Sequence, residues 1–365
     1  MGLPEKIKKI EDDIHKTQVN KKTEHHIGLL RAKLSKLKAE LEEQHTRRTG
    51  SRVGYDVKKS GDATVVLIGL PSVGKSTLLN RLTNAKSKVA AYQFTTLEVV
   101  PGVMDQGGAR IQVLDLPGII KGASSGKGLG RRVLAVARSA DLVLFVVDVF
   151  QPEAREILER ELRSTGIRVD EDPPNVVIEK VDSGGISVTS PVRLTKMTEA
   201  LVKDILRVYD VNGARVVIRQ DIDDQQLIDV LSGNRVYVPS LTVMNKIDLV
   251  NAGFTMELSR KLPYKFVPVS AEGDVNIQSL KEEIYRRLAF VRIYMRRRTG
   301  ETDFEVPMVV RGGATVADIC DKVHRNMKDD FRYAQVWGKS VKFGGQRVGM
   351  THRLMDEDVL TIVTR

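Results

Sequence analysis

The chain has 365 residues and 41% hydrophobic content, enough for two or three domains with packed cores. No apolar stretch approaches the roughly 20 residues of a membrane span, and the charged N-terminus lacks the apolar core of a signal peptide. The single cysteine, Cys320, excludes an internal disulfide and a cysteine-based zinc site; a cytoplasmic protein with no membrane partner is expected. Lysine and arginine outnumber aspartate and glutamate by 58 to 47, a formal charge of +11 that favours a polyanionic partner such as nucleic acid. Arg286, Arg287, Arg292, Arg296, Arg297 and Arg298 stand in one run with no acid among them, a pattern of either a solvated or a phosphate-contacting face.

In chain order, Ile7, Ile10 and Ile14, then Ile27, Leu30, Leu34, Leu37 and Leu41, repeat the three-four spacing of two amphipathic helices. They predict a helical hairpin over residues 1–48, turning in the polar stretch Thr17–Thr23. His45–Asp62 is polar and glycine-containing and reads as a linker. Apolar runs at Thr64–Ile68, Arg110–Asp115, Asp141–Asp148, Ser240–Asn245 and Phe266–Ser270 predict strands, with helices over Arg131–Arg138 and Glu153–Thr165. This alternation predicts an α/β fold with a doubly wound, mostly parallel sheet over 62–166 and 239–292.

Residues 167–238 break the rhythm and predict a small α+β insertion, with a hairpin arm at Ile186–Thr189, a strand at Val216–Arg219, and helices over Thr198–Tyr209 and Asp223–Leu231. The tail, 293–365, predicts a compact β-rich module with strands at Val306–Arg311 and Val359–Val363 and a helix over Val316–Met327.

Gly69-Leu70-Pro71-Ser72-Val73-Gly74-Lys75-Ser76 fits G-x-x-x-x-G-K-[ST] between a strand and a helix, the context a phosphate-binding loop requires. Backbone N–H groups at the helix start favour an anion, and glycines at 69 and 74 let the backbone curve around it. Lys75 can reach the terminal phosphates, and the Ser76 hydroxyl can hold Mg²⁺.

Three later motifs follow strands in the order a guanine-nucleotide switch needs. Asp115 in Asp115-Leu116-Pro117-Gly118 can hold Mg²⁺ through water, and the Gly118 N–H can sense a γ-phosphate. In Asn245-Lys246-Ile247-Asp248 the aspartate can accept from the N1–H and N2 amine of guanine, two donors adenine lacks. Ser270-Ala271-Glu272 can offer a backbone N–H to the guanine O6. Thr96, with Thr95 as alternate, suits a mobile loop that binds Mg²⁺ and reports the γ-phosphate.

These motifs resemble the developmentally regulated GTP-binding protein family, within the Obg-related GTPases. The resemblance is carried by the phosphate loop through Thr77, by Phe94–Leu97, by Asp115–Ile120, by Gly126–Arg131, by Gly233–Tyr237 and by Val336-Trp337-Gly338. It covers nearly the whole chain. It implies a P-loop GTPase domain interrupted by an insertion, an N-terminal helical domain and a C-terminal β-grasp (TGS) domain. It also implies GTP and GDP as ligands, a role in translation at the ribosome or its RNA, and a stabilising partner protein.

One position departs from Ras-like switches. Where they carry a water-orienting glutamine, this chain has Ile119, followed by Ile120. Unaided hydrolysis is therefore expected to be slow, with Lys75, Thr96 and Gly118 as the remaining catalytic contacts. A monovalent cation or a partner can assist, although Ser72 stands where some potassium-activated GTPases have asparagine, which leaves K⁺ open. Arg131 or Arg132 in cis is a further source of positive charge. A nucleotide-regulated scaffold with negligible turnover is the alternative reading. A metabolic P-loop kinase is a third, disfavoured by Asn245–Asp248.

Overall fold

The computed structural model describes residues 2–18, 20, 23–49, 61–83, 100–116, 136–297, 299–324 and 326–364. Two compact units emerge, one of Tyr55–Thr165 with Val238–Arg365, the other of Met1–Gly54 with Gly166–Tyr237.

The first unit is built on a six-stranded sheet of order β11-β10-β4-β1-β3-β2. Its strands are β1 (Ala63–Ile68), β2 (Val100–Gln106), β3 (Ala109–Asp115), β4 (Leu142–Asp148), β10 (Ser240–Asn245) and β11 (Val267–Pro268). All pairs are parallel except β2–β3, an antiparallel edge. β1 and most of β4 are apolar and wholly buried, as strands covered on both faces must be. On one face, Leu78, Leu79 and Leu82 of α3 (Lys75–Leu82) and Leu280 and Ile284 of α8 (Ile277–Arg287) pack on Val65, Leu67, Leu144 and Val146. On the other, α4 (Ala154–Ser164) lays Arg155 over the Phe145 ring at 4.9 Å. β1 sits between β3 and β4, so the strand order reverses at its C-terminal end, where ligands bind in such sheets. β11 is shorter than the run Phe266–Ser270 implies, because from Ser270 the chain doubles back to pair with Val275. Helix α7 (Ala252–Lys261) lies between β10 and β11 in sequence.

The tail of this unit is a five-stranded sheet of order β13-β12-β16-β14-β15, formed by β12 (Phe290–Met295), β13 (Met308–Arg311), β14 (Phe331–Trp337), β15 (Gln346–Val348) and β16 (Asp358–Thr364). One helix, α9 (Val316–Val323), seals one face, with Val316, Ile319 and Cys320 against Ile293, Ala334, Val336 and Leu360. This helix is shorter than the predicted Val316–Met327, since His324 leaves the helical conformation. The tail sheet begins three residues earlier than 293, because β12 is its second strand, and Phe290 and Val309 join the core of the six-stranded sheet.

The arginine run proves largely committed within the chain. Arg287 donates to the Ser240 carbonyl, Arg292 binds Asp356 and Glu357, Arg296 lies on Trp337, and Arg286 and Arg297 pair with Glu283 and Glu301. Arg298 and the predicted helix positions Arg131 to 135 lie outside the described residues.

In the second unit, α1 (Leu3–Lys16) and α2 (Glu24–Thr49) form the predicted pair of helices, and α2 runs on into the stretch read as linker. α2 has a second working face. Gly28 and Ala32 let it approach α5 (Glu199–Val208) and α6 (Asp224–Ser232) closely, and a Cβ at Gly28 would stand 3.1 Å from Leu201. The insertion carries β5 (Ile167–Val169), paired with β9 (Val236–Val238), and a three-stranded sheet of β6 (Val176–Lys180), β8 (Ala214–Ile218) and β7 (Ile186–Thr189), in the order β6-β8-β7. Ile186–Thr189 is not a hairpin arm: β7 pairs in parallel with β8, and β8 separates it from β6. Arg235, in the motif Gly233–Tyr237, shares the buried Asp229 carboxylate with Arg168 at 2.8 and 2.6 Å.

Candidate functional site

The motif residues converge at the C-terminal edge of the six-stranded sheet. Gly69 follows β1, Lys75 opens α3, Asp115 ends β3, Asn245 ends β10, and Ser270 follows β11. In the loop, Gly69 and Val73 are buried, while Pro71, Ser72, Ser76 and Thr77 are exposed. The two glycines serve for different reasons. A Cβ at Gly69 would meet the Val146 carbonyl of β4 at 2.4 Å, so that glycine allows the loop to leave a crowded sheet. Gly74 adopts φ of +88° and would drive a Cβ to 2.5 Å from the Asn245 amide. Ser72 also holds a left-handed conformation, with φ of 64°, on the curve of the loop.

Asn245 is the keystone of the arrangement. Its Nδ2 donates to the Val73 carbonyl at 2.9 Å, and its Oδ1 accepts from the Ala271 N–H at 3.0 Å. One buried amide thus joins the phosphate loop to the Ser270 turn. Arg81, a residue no motif singles out, supports the same turn from α3: its Nε donates to the Ala271 carbonyl at 3.0 Å and its Nη2 to that of Glu272 at 3.1 Å. Ser270 is fully buried, and its Oγ accepts from the Gly273 N–H. The Ser270 and Ala271 N–H groups, expected as base donors, are engaged by the Val275 carbonyl and Asn245. The Glu272 N–H has no acceptor among the described residues.

Lys246 takes a left-handed φ of 66° and its Nζ donates to Asp148 at 2.8 Å, an acid at the end of β4 that sequence reading passed over. This turn presents Asp248 on a 3-10 segment, Ile247–Leu249, exposed and with no partner among the described residues. A carboxylate held this way can accept two donors from a base edge.

At the other end, the Ser76 hydroxyl donates to Asp115 Oδ2 at 2.6 Å. Asp115 Oδ1 is buried and has no hydrogen-bond partner among the described residues. A buried carboxylate oxygen without a donor is costly, and a hydroxyl beside it completes the hard oxygen set that Mg²⁺ prefers, so the residues fit that ion. Lys75 is buried, with its Nζ donating to the carbonyls of Gly69 and Leu70 at 3.0 and 2.9 Å. Burial pushes its ammonium below the ordinary lysine value, and the charge of Asp115 opposes that shift. A desolvated cation at the mouth of a helix N-terminus is matched to a multiply charged anion. Thr95, Thr96, Pro117, Gly118, Ile119 and Gly126–Arg132 lie outside the described residues. Among those described, no helix is long and apolar enough to cross a membrane.

Comparison with known proteins bears on the same regions. A family model described as 50S ribosome-binding GTPase matches residues 64–180, the C-terminal region of that domain matches 183–290, and the TGS domain matches 291–364. An uncharacterized GTP-binding protein of Methanocaldococcus jannaschii is 50% identical, over 100% of this chain and 94% of that one. Human developmentally-regulated GTP-binding protein 2 is 46% identical over 100% of both chains. Among solved structures, the Schizosaccharomyces pombe YchF GTPase matches with a TM-score of 0.44 and 14% identity, over 84% of this chain and 99% of that one.

Proposed function

Since this chain belongs to the developmentally regulated GTP-binding protein family, we propose that it is a guanine-nucleotide switch that hydrolyses GTP and acts in translation by binding the ribosome or its RNA. The observation that carries the reading is the Asn245 bridge, which couples a phosphate loop to a base-facing turn through one buried amide. In this reading Gly69, Pro71, Ser72, Val73, Gly74, Lys75, Ser76 and Thr77 cradle the phosphates. Ser76 and Asp115 hold Mg²⁺, which supplies neutralisation of phosphate charge when bound. Asp248 reads the base, Lys246 fixes the turn that presents it, and the Ser270–Glu272 loop closes over the base edge. Thr96 and Gly118 keep the roles their motifs suggest.

Ile119 replaces the water-orienting glutamine, which supports slow hydrolysis until an ion or partner assists. The ribosomal partner is supported by the description of the family matching 64–180 and by the net charge of +11. Phosphate release should rise when ribosomes are added, and comparison in K⁺ and Na⁺ buffers identifies any cation effect. GTP-loaded protein should co-sediment with ribosomes more than GDP-loaded protein. Absence of turnover under every condition would instead favour the nucleotide-regulated scaffold. Lys75→Ala should abolish tight binding of a fluorescent GTP analogue; unaltered affinity would sink the phosphate-loop assignment.

A further inference from the structure

Asp148 closes β4 beside the turn that presents Asp248, and no motif assigns it a role. The β4–β10 ladder pairs it in register with Asn245, and the Val149 N–H donates to the Asn245 carbonyl at 3.1 Å. One residue further on, a side chain makes the connection: Lys246 Nζ donates to Asp148 Oδ2 at 2.8 Å. The second carboxylate oxygen is fixed as well, since Oδ1 accepts from the Phe150 N–H at 3.0 Å. The side chains are 15% exposed for Asp148 and 33% for Lys246, whereas a surface pair such as Lys261–Glu257 is 69% and 56% exposed. A charge-assisted hydrogen bond shielded to that degree is stronger than an ion pair open to water and salt.

What the pair holds is a strained turn. Lys246 sits at φ of 66° and ψ of 34°, a left-handed conformation that is costly for a residue with a Cβ and persists where the surroundings enforce it. On one side the Ile247 N–H donates to the carbonyl of Val269, just past β11, at 3.2 Å; on the other Lys246 reaches Asp148 of β4. The turn is thereby tied to both strands that flank β10. Asp248, two residues on, is exposed and has no partner among the described residues, so its direction comes from this backbone. A carboxylate that must meet two donors of one base edge tolerates a misplacement of only about 0.5 Å.

We propose that Asp148 is a positioning residue for guanine recognition: it acts through Lys246 to aim Asp248, and so sets both the base selectivity and the lifetime of the bound nucleotide. The inference rests on the guanine reading above and extends it to a strand that carries none of the nucleotide motifs. The alternative is an ion pair that merely stabilises the sheet. The geometry argues against it, because the ladder already joins β4 to β10 along the whole of β10. The lysine link begins where that ladder stops, at the turn itself.

The test uses the full-length protein and a fluorescent GDP analogue, its release followed by stopped flow, with GTP and ITP as competitors. Hypoxanthine keeps the N1–H of guanine and lacks the N2 amine, so the GTP/ITP ratio reports whether Asp248 still meets both donors. Asp148→Ala should speed release about tenfold and reduce the preference for GTP over ITP by a similar factor. Asp148→Asn, which keeps the shape and loses the charge, should fall between wild type and Asp148→Ala. In a Lys246→Ala background, Asp148→Ala should change neither quantity further, because its influence runs through that ammonium. Urea midpoints measured in parallel separate folding from recognition. Wild-type release and wild-type GTP/ITP preference in folded Asp148→Ala and Asp148→Asn would overturn the proposal and leave the guanine reading intact. An Asp148→Ala effect undiminished in the Lys246→Ala background would do the same. A wild type with no preference for GTP over ITP and ATP would overturn the guanine reading itself, and this inference with it.

Discussion

At the residue scale, the site depends on groups that hold other groups in place. Among the described residues Arg81 donates to two carbonyls, and those belong to the turn that Asn245 also binds. Arg81→Ala should leave the phosphate loop intact and loosen the base side, accelerating GDP release by about tenfold, on the order of the 1.4 kcal/mol expected for lost hydrogen bonds to a charged donor. Arg81→Lys should restore part of this, because one ammonium can reach one carbonyl but cannot span both. Stopped-flow release of a fluorescent GDP analogue measures it, and an unchanged rate would remove Arg81 from the site. Lys75, Ser76, Asp115, Asn245 and Asp248 were legible because phosphate and base chemistry restrict both residue type and spacing. Arg81 and Asp148 were not, since an arginine on a helix and an acid after a strand fit countless unrelated contexts. Gly69 was legible as a glycine but not for its reason, which lies in a neighbouring strand 77 residues away at Val146.

At the element scale, periodicity located most helices and strands but not their partners. The three-four stripe of α2 describes its contact with α1. Its contact with α5 and α6 rests on Gly28 and Ala32, small residues that leave no hydrophobic signature. Gly28→Leu should destabilise the chain by about 1–3 kcal/mol through overpacking against Leu201, read as a lower urea midpoint with nucleotide affinity retained in folded protein. An unchanged midpoint would mean that α2 does not pack there. The pairing of β7 with β8 was hidden for a similar reason, because alternation marks a strand but not its neighbour or direction. The arginine run likewise carried charge without its destination. Arg292 holds the Asp356 carboxyl below its ordinary value, so the pair contributes stability above the unfolded aspartate pKa of about 3.9 and loses it as pH falls through the lowered value.

At the scale of the whole first unit, β1 has different business at its two ends. The phosphate loop follows its C-terminus. Before its N-terminus, Asp62 pairs with Lys322 of α9, and Asp141, whose Oδ2 accepts from the Thr64 N–H, pairs with Arg311 of β13. The tail is therefore fastened at the pole of the sheet away from the nucleotide edge. The two links differ in burial: the Asp141 side chain is 5% exposed, that of Lys322 40%. Asp141→Ala should cost about 2 kcal/mol, chiefly by stranding the buried Thr64 N–H, whereas Lys322→Ala should cost under about 1 kcal/mol. Equal shifts in urea unfolding would contradict this account of the joint.

The central claim is that the edge of this sheet reads guanine, and it reduces to one carboxylate. In the proposed reading Asp248 accepts two hydrogen bonds from guanine's N1–H and N2 amine; an amide there would present one donor and one acceptor, which suits the N1–H and C2 carbonyl of xanthine. Competition of GTP, XTP and ATP for wild-type protein and Asp248→Asn measures this directly. The wild type should strongly prefer GTP, and the variant should lose that preference and favour XTP. A variant that keeps the wild-type preference for GTP over both competitors would contradict the account.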